Sequence, residues 1–125
     1  MGMFSWNCKA CGHPLLSHGA TEEHNEWMMY GVVITSDGEL CRGEYDGYGR
    51  CGSWDYNDCG GDDPEAYHEA CWEVLGKPNE FTGPSDSARD QGWFFDDGVH
   101  NMHKPENMRD LHNIKVAGDL AQQNP

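Results

Sequence analysis

The sequence predicts a small α+β domain: an antiparallel β-meander with one or two helices, stapled by zinc. Three observations lead there. Residues 27–35 and 40–45 are strand-like runs joined by an Asp-Gly turn. Residues 64–75 carry helix signals at both ends, and cysteine and histidine recur in pairs at metal-ligand spacing. The aliphatic core is thin: Leu, Ile, Val and Phe supply 17 of the 125 residues. That lies below the roughly 20% at which highly charged chains become disordered. Five Trp, five Tyr and six Cys argue for order instead, and cysteine chemistry is the remaining source of stability.

The elements follow in order. A short apolar run ending at Trp6 leads into Cys8-Lys9-Ala10-Cys11-Gly12-His13, and residues 21–26 are polar, a loop or one helical turn. The first strand is residues 27–35, with β-branched side chains at its end. Asp37-Gly38 then reads as a two-residue hairpin turn that brings Thr35 near Leu40 on the return strand, 40–45. A second glycine turn, Asp46-Gly47-Tyr48-Gly49-Arg50, precedes a third strand at 51–56. For residues 64–75, Asp63 is a suitable N-cap, Pro64 fits the first helical position and Gly76 closes the end. Tyr67, Ala70, Cys71 and Val74 fall on one apolar stripe of that helix. Residues 76–92 read as loop, Trp93-Phe94-Phe95 as an apolar anchor, and 105–116 as a weaker helix with Gly118 just beyond it. The boundaries are a single zinc-stabilised domain at 1–118 and a flexible tail at 119–125.

Cys8-x2-Cys11-Gly12 is the most specific local signal. Two intervening residues let a tight turn aim both sulfurs at one ion. His68-x2-Cys71 is the second half-site, since i and i+3 on a helix project from one side. Together Cys8, Cys11, His68 and Cys71 make a Cys3His set, a closed tetrahedral shell suited to structural Zn²⁺. A redox Cys-x-x-Cys pair is the competing reading, but His13 before Pro14 disfavours the helix such a pair opens. The substitute ligands are His13, Cys41, Cys51 and Cys59; the three cysteines otherwise read as core or surface thiols.

On these positions the chain resembles the zinc-ribbon, LIM and PHD style of structural zinc modules. Gly43 to Arg50, with its Tyr-Asp-Gly-Tyr-Gly-Arg turn, the knuckle before it and His68-Glu-Ala-Cys71-Trp72 after it, is also similar to small uncharacterised proteins sharing that turn. The second resemblance implies no activity.

Net charge is −14, and residues 51–100 alone carry −10. Eight Lys and Arg against 22 acids exclude a nucleic-acid surface, and no apolar run reaches the roughly 18 residues of a membrane span. The first residues lack a basic segment followed by an apolar stretch, so a cytoplasmic location is expected, where thiols and metal ligands outnumber disulfides. Asp55, Asp58, Asp62 and Asp63 form a candidate second cation site for Ca²⁺. It is not an EF-hand, because Cys59 and Ala66 stand where oxygen ligands are needed.

The leading functional expectation is a non-enzymatic zinc-binding module that contacts another protein, one of basic character, through its acidic face and Trp93, Phe94 and Phe95. One alternative is a small metal-dependent hydrolase built on His100, His103 and nearby acids. Another is an acidic inhibitor or nucleic-acid mimic that occupies a basic partner. No Gly-x-Ser-x-Gly, P-loop or dinucleotide fingerprint is present.

Overall fold

The computed structural model describes residues 5–18, 21, 23–59, 62–85 and 103–123, with backbone alone at 24, 59 and 117–123. Trp93, Phe94, Phe95 and His100 lie outside the described residues. The fold is built on β1 (Tyr30–Ile34), whose core-facing residues Val32, Val33 and Ile34 are fully buried. Burial on both faces explains why the run is continuously apolar rather than alternating. A 3-10 segment, Glu23–Met29, precedes β1, so the strand starts three residues later than the apolar run suggested.

β1 turns back into β2 (Leu40–Glu44) in antiparallel register, Val33 opposite Cys41 and Ile34 opposite Leu40. The turn is a three-residue loop, not the expected two. Thr35 N–H donates to the Glu39 carbonyl at 2.9 Å, and Gly38 N–H donates to the Thr35 carbonyl at 2.8 Å. Gly38 has φ +88°. That arrangement, a turn followed by one residue in the left-handed region, is the common three-residue alternative to the Asn-Gly type.

The expected third strand does not extend the meander. Instead β3 (Arg50–Cys51) and β4 (Trp54–Asp55) pair with each other as a separate two-stranded sheet. This small hairpin rests backbone to backbone on β2: a Cβ at Gly43 would lie 2.4 Å from Gly52 Cα. Only glycine permits that approach.

The third strand of the main sheet is β5 (Glu65–His68), on the opposite side of β1 from β2, with Val32 opposite Tyr67. Residues 65–68 were expected to be the first turn of a helix; here α1 is only Glu69–Val74. Tertiary pairing overrides the local helix signals because β1 has a second edge to satisfy. β5's own outer edge is closed in turn. Ala66 N–H donates to Ser85 Oγ at 2.7 Å, and the Ala66 carbonyl accepts from Lys9 N–H at 2.9 Å. The end of α1 is as expected: the chain closes at Gly76, and Lys77 N–H reaches the Trp72 carbonyl at 2.9 Å.

The C-terminal helix, α2 (Met108–Gln123), runs past Gly118 and through residues 119–123, so the expected tail at 119–125 is helical as far as Gln123. No helix among the described residues is long and apolar enough to cross a membrane.

Alternation along the sheet divides the core in two. On one face Val32, Ile34 and Tyr67 pack with Cys8, Cys11, Cys71, Trp72, Leu111 and Ile114. On the other, Val33, Cys41 and Ala66 pack with Trp6, Leu15, Tyr45, Cys51 and Trp54. Aromatic edges knit the second cluster: Trp6 stands 5.2 Å from Trp54 and 5.0 Å from Tyr56 between ring centroids. Trp6 Nε1 also donates to Asp63 at 3.0 Å. Aromatic rings bury large areas each, which compensates for the scarcity of aliphatics.

Among the described residues one carboxylate lies buried inside this frame. The Glu65 carboxylate is fully buried, accepting from Tyr67 Oη at 2.6 Å, Thr82 N–H at 2.6 Å and Thr82 Oγ1 at 2.8 Å. Lys9 Nζ stands 3.5 Å away. Burial works against its ionisation, but those donors and the Lys9 charge outweigh it and lower its pKa. A lowered folded-state pKa means stability that is complete above the unfolded value, near pH 4.3, and is lost as pH falls through the folded value. Glu65→Gln is therefore expected to cost about 1–3 kcal/mol at neutral pH in urea unfolding. The gap from wild type should narrow below about pH 4. Gly38→Val should destabilise by roughly 1–2 kcal/mol or more, because a β-branched residue resists positive φ, again measured by urea unfolding.

Candidate metal centre

Residues 6–15 form a miniature hairpin. Asn7 pairs with Pro14 across it, and Leu15 N–H donates to the Trp6 carbonyl at 3.1 Å. At its tip Cys8 N–H donates to the His13 carbonyl and Gly12 N–H to the Cys8 carbonyl, both at 2.8 Å. Gly12 takes φ +81°, the conformation that lets the chain close so tightly behind Cys11. Both sulfurs thereby point inward, and Cys8 and Cys11 are each 1% exposed. Lys9 pins the tip to the sheet, its backbone on Ala66 and its ammonium on Thr82 Oγ1 and the Gly83 carbonyl, both at 3.2 Å.

The second half-site arises differently from the expected helical i, i+3 pair. His68 is the last residue of β5 and the N-cap of α1, with extended backbone (φ −70°, ψ 141°), while Cys71 sits in the first turn of the helix. The strand-to-helix bend, rather than a common helix face, brings them together. Cys11 Sγ lies 3.3 Å from His68 Nδ1 and Cys71 Sγ 3.9 Å from it. The ligand atoms of Cys8, Cys11, His68 and Cys71 all lie within 4.8 Å of one another. Among the described residues these four form the one such group, a cluster that can hold a metal ion.

Geometry and chemistry both suit a four-coordinate ion. A tetrahedron with bonds of about 2.0–2.3 Å has edges of about 3.3–3.8 Å, and the two sulfur-to-nitrogen separations fall at that scale. His68 Nε2 donates to the Pro14 carbonyl at 2.8 Å. Because a carbonyl only accepts, the proton belongs on Nε2, and Nδ1 keeps its lone pair for the thiols' side. Backbone carbonyls commonly fix a ligating histidine in this way. Trp27 stands edge-on to the ring at 5.0 Å, walling off solvent.

The thiols already share charge. For Cys8, burial opposes ionisation, but hydrogen bonds from Cys11 and Cys71 and the nearby His68 bring its pKa well below the ordinary thiol value. Burial, with the bond to Cys8, raises Cys11. Cys71 is raised by its hydrogen bonds to Cys11 and Cys8, then by burial. Ionisation is thus favoured at one sulfur and opposed at two, which hold their protons. A metal ion would replace those protons, since thiolates are the ligating form.

The other candidates go elsewhere. His13 is buried, and its Nε2 donates to the Ile114 carbonyl at 3.0 Å, so it ties the knuckle to α2 rather than joining the ligands. Cys41 and Cys51 lie in the aromatic-face cluster, and burial lifts Cys51 to about 12, a protonated core thiol. Asp55, Asp58, Asp62 and Asp63 do not converge as a cation cage. Asp55 Oδ2 is taken by Arg50 at 3.0 Å and its Oδ1 by Asn57 N–H at 3.0 Å, while Asp63 holds Trp6. Asp58 and Asp62 instead line a groove of about 300 Å³ together with Asp37, Glu39 and Asp55, floored by Cys41, Trp54 and Pro64. In the Tyr-Asp-Gly-Tyr-Gly-Arg turn, the Asp46 carboxylate accepts from Tyr48 and Arg50 N–H at 2.7 and 3.0 Å; Tyr45 is buried and Tyr48 exposed. His103 and His112 are exposed.

Sequence reasoning overlooked the Pro14 carbonyl and Trp27, the groups that orient the histidine. In the sequence Pro14 signals only a helix break, and nothing in residue spacing reveals where a carbonyl points.

Compared with known proteins, the chain matches no family model, no curated protein and no solved structure.

The full chain is expected to take up one Co²⁺ as a spectroscopic probe, giving thiolate charge-transfer absorption. Cys8→Ser or Cys71→Ser should weaken uptake beyond the roughly 10–100-fold typical of a change outside the ligand shell. Cys41→Ser should leave it unchanged. Uptake should weaken as pH falls, because Cys11 and Cys71 must surrender their protons.

Proposed function

We propose that this chain is a non-enzymatic protein-interaction module stapled by one structural Zn²⁺, and that its acidic groove meets a basic partner. The observation that carries the first half is the closed, buried Cys3His cluster. Three sulfurs and one imidazole complete a tetrahedral shell and leave no position for a substrate or water, the hallmark of structural rather than catalytic zinc. Soft thiolates select zinc over calcium or magnesium. The ion supplies binding energy of order 10 kcal/mol where the aliphatic core is thin. The resemblance of the ligand pattern to structural zinc modules supports the same reading.

The second half rests on charge. Five carboxylates line the groove, and no Lys or Arg is among its lining residues. Such a surface repels nucleic acid and attracts ammonium or guanidinium groups, raising association rates more than affinity. Trp54 and Pro64 on its floor offer an apolar patch against which an aliphatic stem can lie.

The combined variant Asp37→Asn, Glu39→Gln, Asp58→Asn, Asp62→Asn tests this while sparing Asp55 and Asp63, which hold Arg50 and Trp6. Partners captured by the wild-type chain from its native source should be lost by the variant, with metal content unchanged. Wild-type capture should fade as salt rises, because the reach of exposed charges falls from about 10 Å at 0.1 M to about 3 Å at 1 M. Undiminished capture of the same partners by the variant would overturn the groove's role. A native chain free of zinc would overturn the staple.

A further inference from the structure

We propose that metal loading at Cys8, Cys11, His68 and Cys71 latches α2 to the body, so that metal loss frees α2 as an arm while the β1–β2 hairpin stays folded. This rests on the metal reading above and goes beyond it, from a static staple to a metal-sensitive helix.

The argument starts from the division of the core. All three thiol ligands belong to the buried cluster on one sheet face, and so do Leu111 and Ile114 of α2. The opposite face, which packs Val33, Cys41, Tyr45, Cys51 and Trp54, contains no ligand. The β3–β4 unit packs on that second side through Cys51 and Trp54, together with Val33 of β1 and Cys41 of β2. Loss of the ion therefore strikes one cluster directly and the other only through the elements they share, β1, β5 and the knuckle hairpin.

Helix α2 has a narrow hold. Among its residues with described side chains, only Leu111 and Ile114 are buried, whereas Met108 is 56% and Val116 40% exposed. Its polar tether is His13, whose ring donates to the Ile114 carbonyl. The same residue's carbonyl closes the knuckle by accepting from Cys8 N–H. His13 thus joins the loop that carries two ligands to the backbone of a helix 101 residues away. When the knuckle is held by an ion, His13 is positioned to hold α2. When the ion is lost, Cys8 and Cys11 no longer share a centre with Cys71, and the knuckle that positions His13 loses that anchor beside Leu111 and Ile114.

Once freed, the arm is a 16-residue helix, marginal by itself, so its amides open to exchange. Asn107 Oδ1 accepts from Asp110 N–H at 2.9 Å, so the first turn carries its own cap and does not depend on the body. Low-stability elements open in such cooperative units while the rest stays folded.

Hydrogen exchange on the full chain, zinc-loaded and after chelation without denaturant, tests the latch, with native mass spectrometry reporting metal content. The expected result is a gain of about tenfold or more in exchange for residues 108–116 and less than about twofold for 30–44. In a second arm, His13→Ala should quicken exchange at 108–116 while one zinc remains bound. If zinc binds but chelation leaves 108–116 protected, or melts 30–44 equally, the latch is wrong and the metal site stands. If His13→Ala keeps its zinc and α2 exchanges as in wild type, the tether is wrong and the latch with it. If the native chain binds no zinc, both readings fall together.

Discussion

The position of the His68 ring is the constraint on which the rest depends. Its Nε2 is committed to the Pro14 carbonyl and its Nδ1 to the thiols of Cys11 and Cys71. One side chain thus joins the N-terminal knuckle, the last residue of β5 and the first turn of α1. A ring with both nitrogens occupied in a fully buried setting has a single orientation, and unpairing either nitrogen there is costly. This explains why β5 ends and α1 begins where they do: the bend must present His68 and Cys71 to the same point. It also explains why the knuckle hairpin is drawn against the sheet edge, with Lys9 bound to Ala66 one residue from Tyr67.

Around that point the molecule replaces bulk apolar burial with specific contacts. One face of the sheet is filled by aromatic rings packed edge to face, the other by three thiols, two α2 aliphatics and Trp72. Leu111 and Ile114 contribute about 1.5–3 kcal/mol each if fully buried. A 16-residue helix is marginal by itself, so α2's place depends on them. Even the buried Glu65 carboxylate is fully engaged by Tyr67, Thr82 and Lys9, and it joins the 82–85 segment to β5 as His68 joins the knuckle to it. Net charge is kept off both clusters and gathered where Asp37, Glu39, Asp55, Asp58 and Asp62 face one groove.

Much of the candidate site was legible because ligand chemistry is local. Cys8-x2-Cys11-Gly12 closes a turn whatever surrounds it, and His68-x2-Cys71 is short enough to serve one ion from a helix or from a bend. The acidic quartet was less so. Asp55 and Asp63 looked equivalent to Asp58 and Asp62 by spacing, yet Arg50 and Trp6 claim them. The partner that claims a carboxylate is a question of three dimensions.

By itself the sequence determined the class of the fold, the β1–β2 hairpin, the close of α1 at Gly76 and the four residues that form the Cys3His cluster. These rest on short-range chemistry: glycines that accept positive φ, β-branched runs, and thiols two residues apart. Tertiary structure alone decided that residues 65–68 are a strand. Asp63, Pro64 and the apolar stripe favour a helix locally, but the free edge of β1 offers backbone hydrogen bonds that a helix there would leave unmade. It likewise decided that β3 and β4 form their own sheet, because Gly43 and Gly52 allow backbones to touch face to face. And it decided that His13 serves α2 rather than the Cys3His cluster, since only the packed chain brings Ile114 within 3.0 Å of its ring.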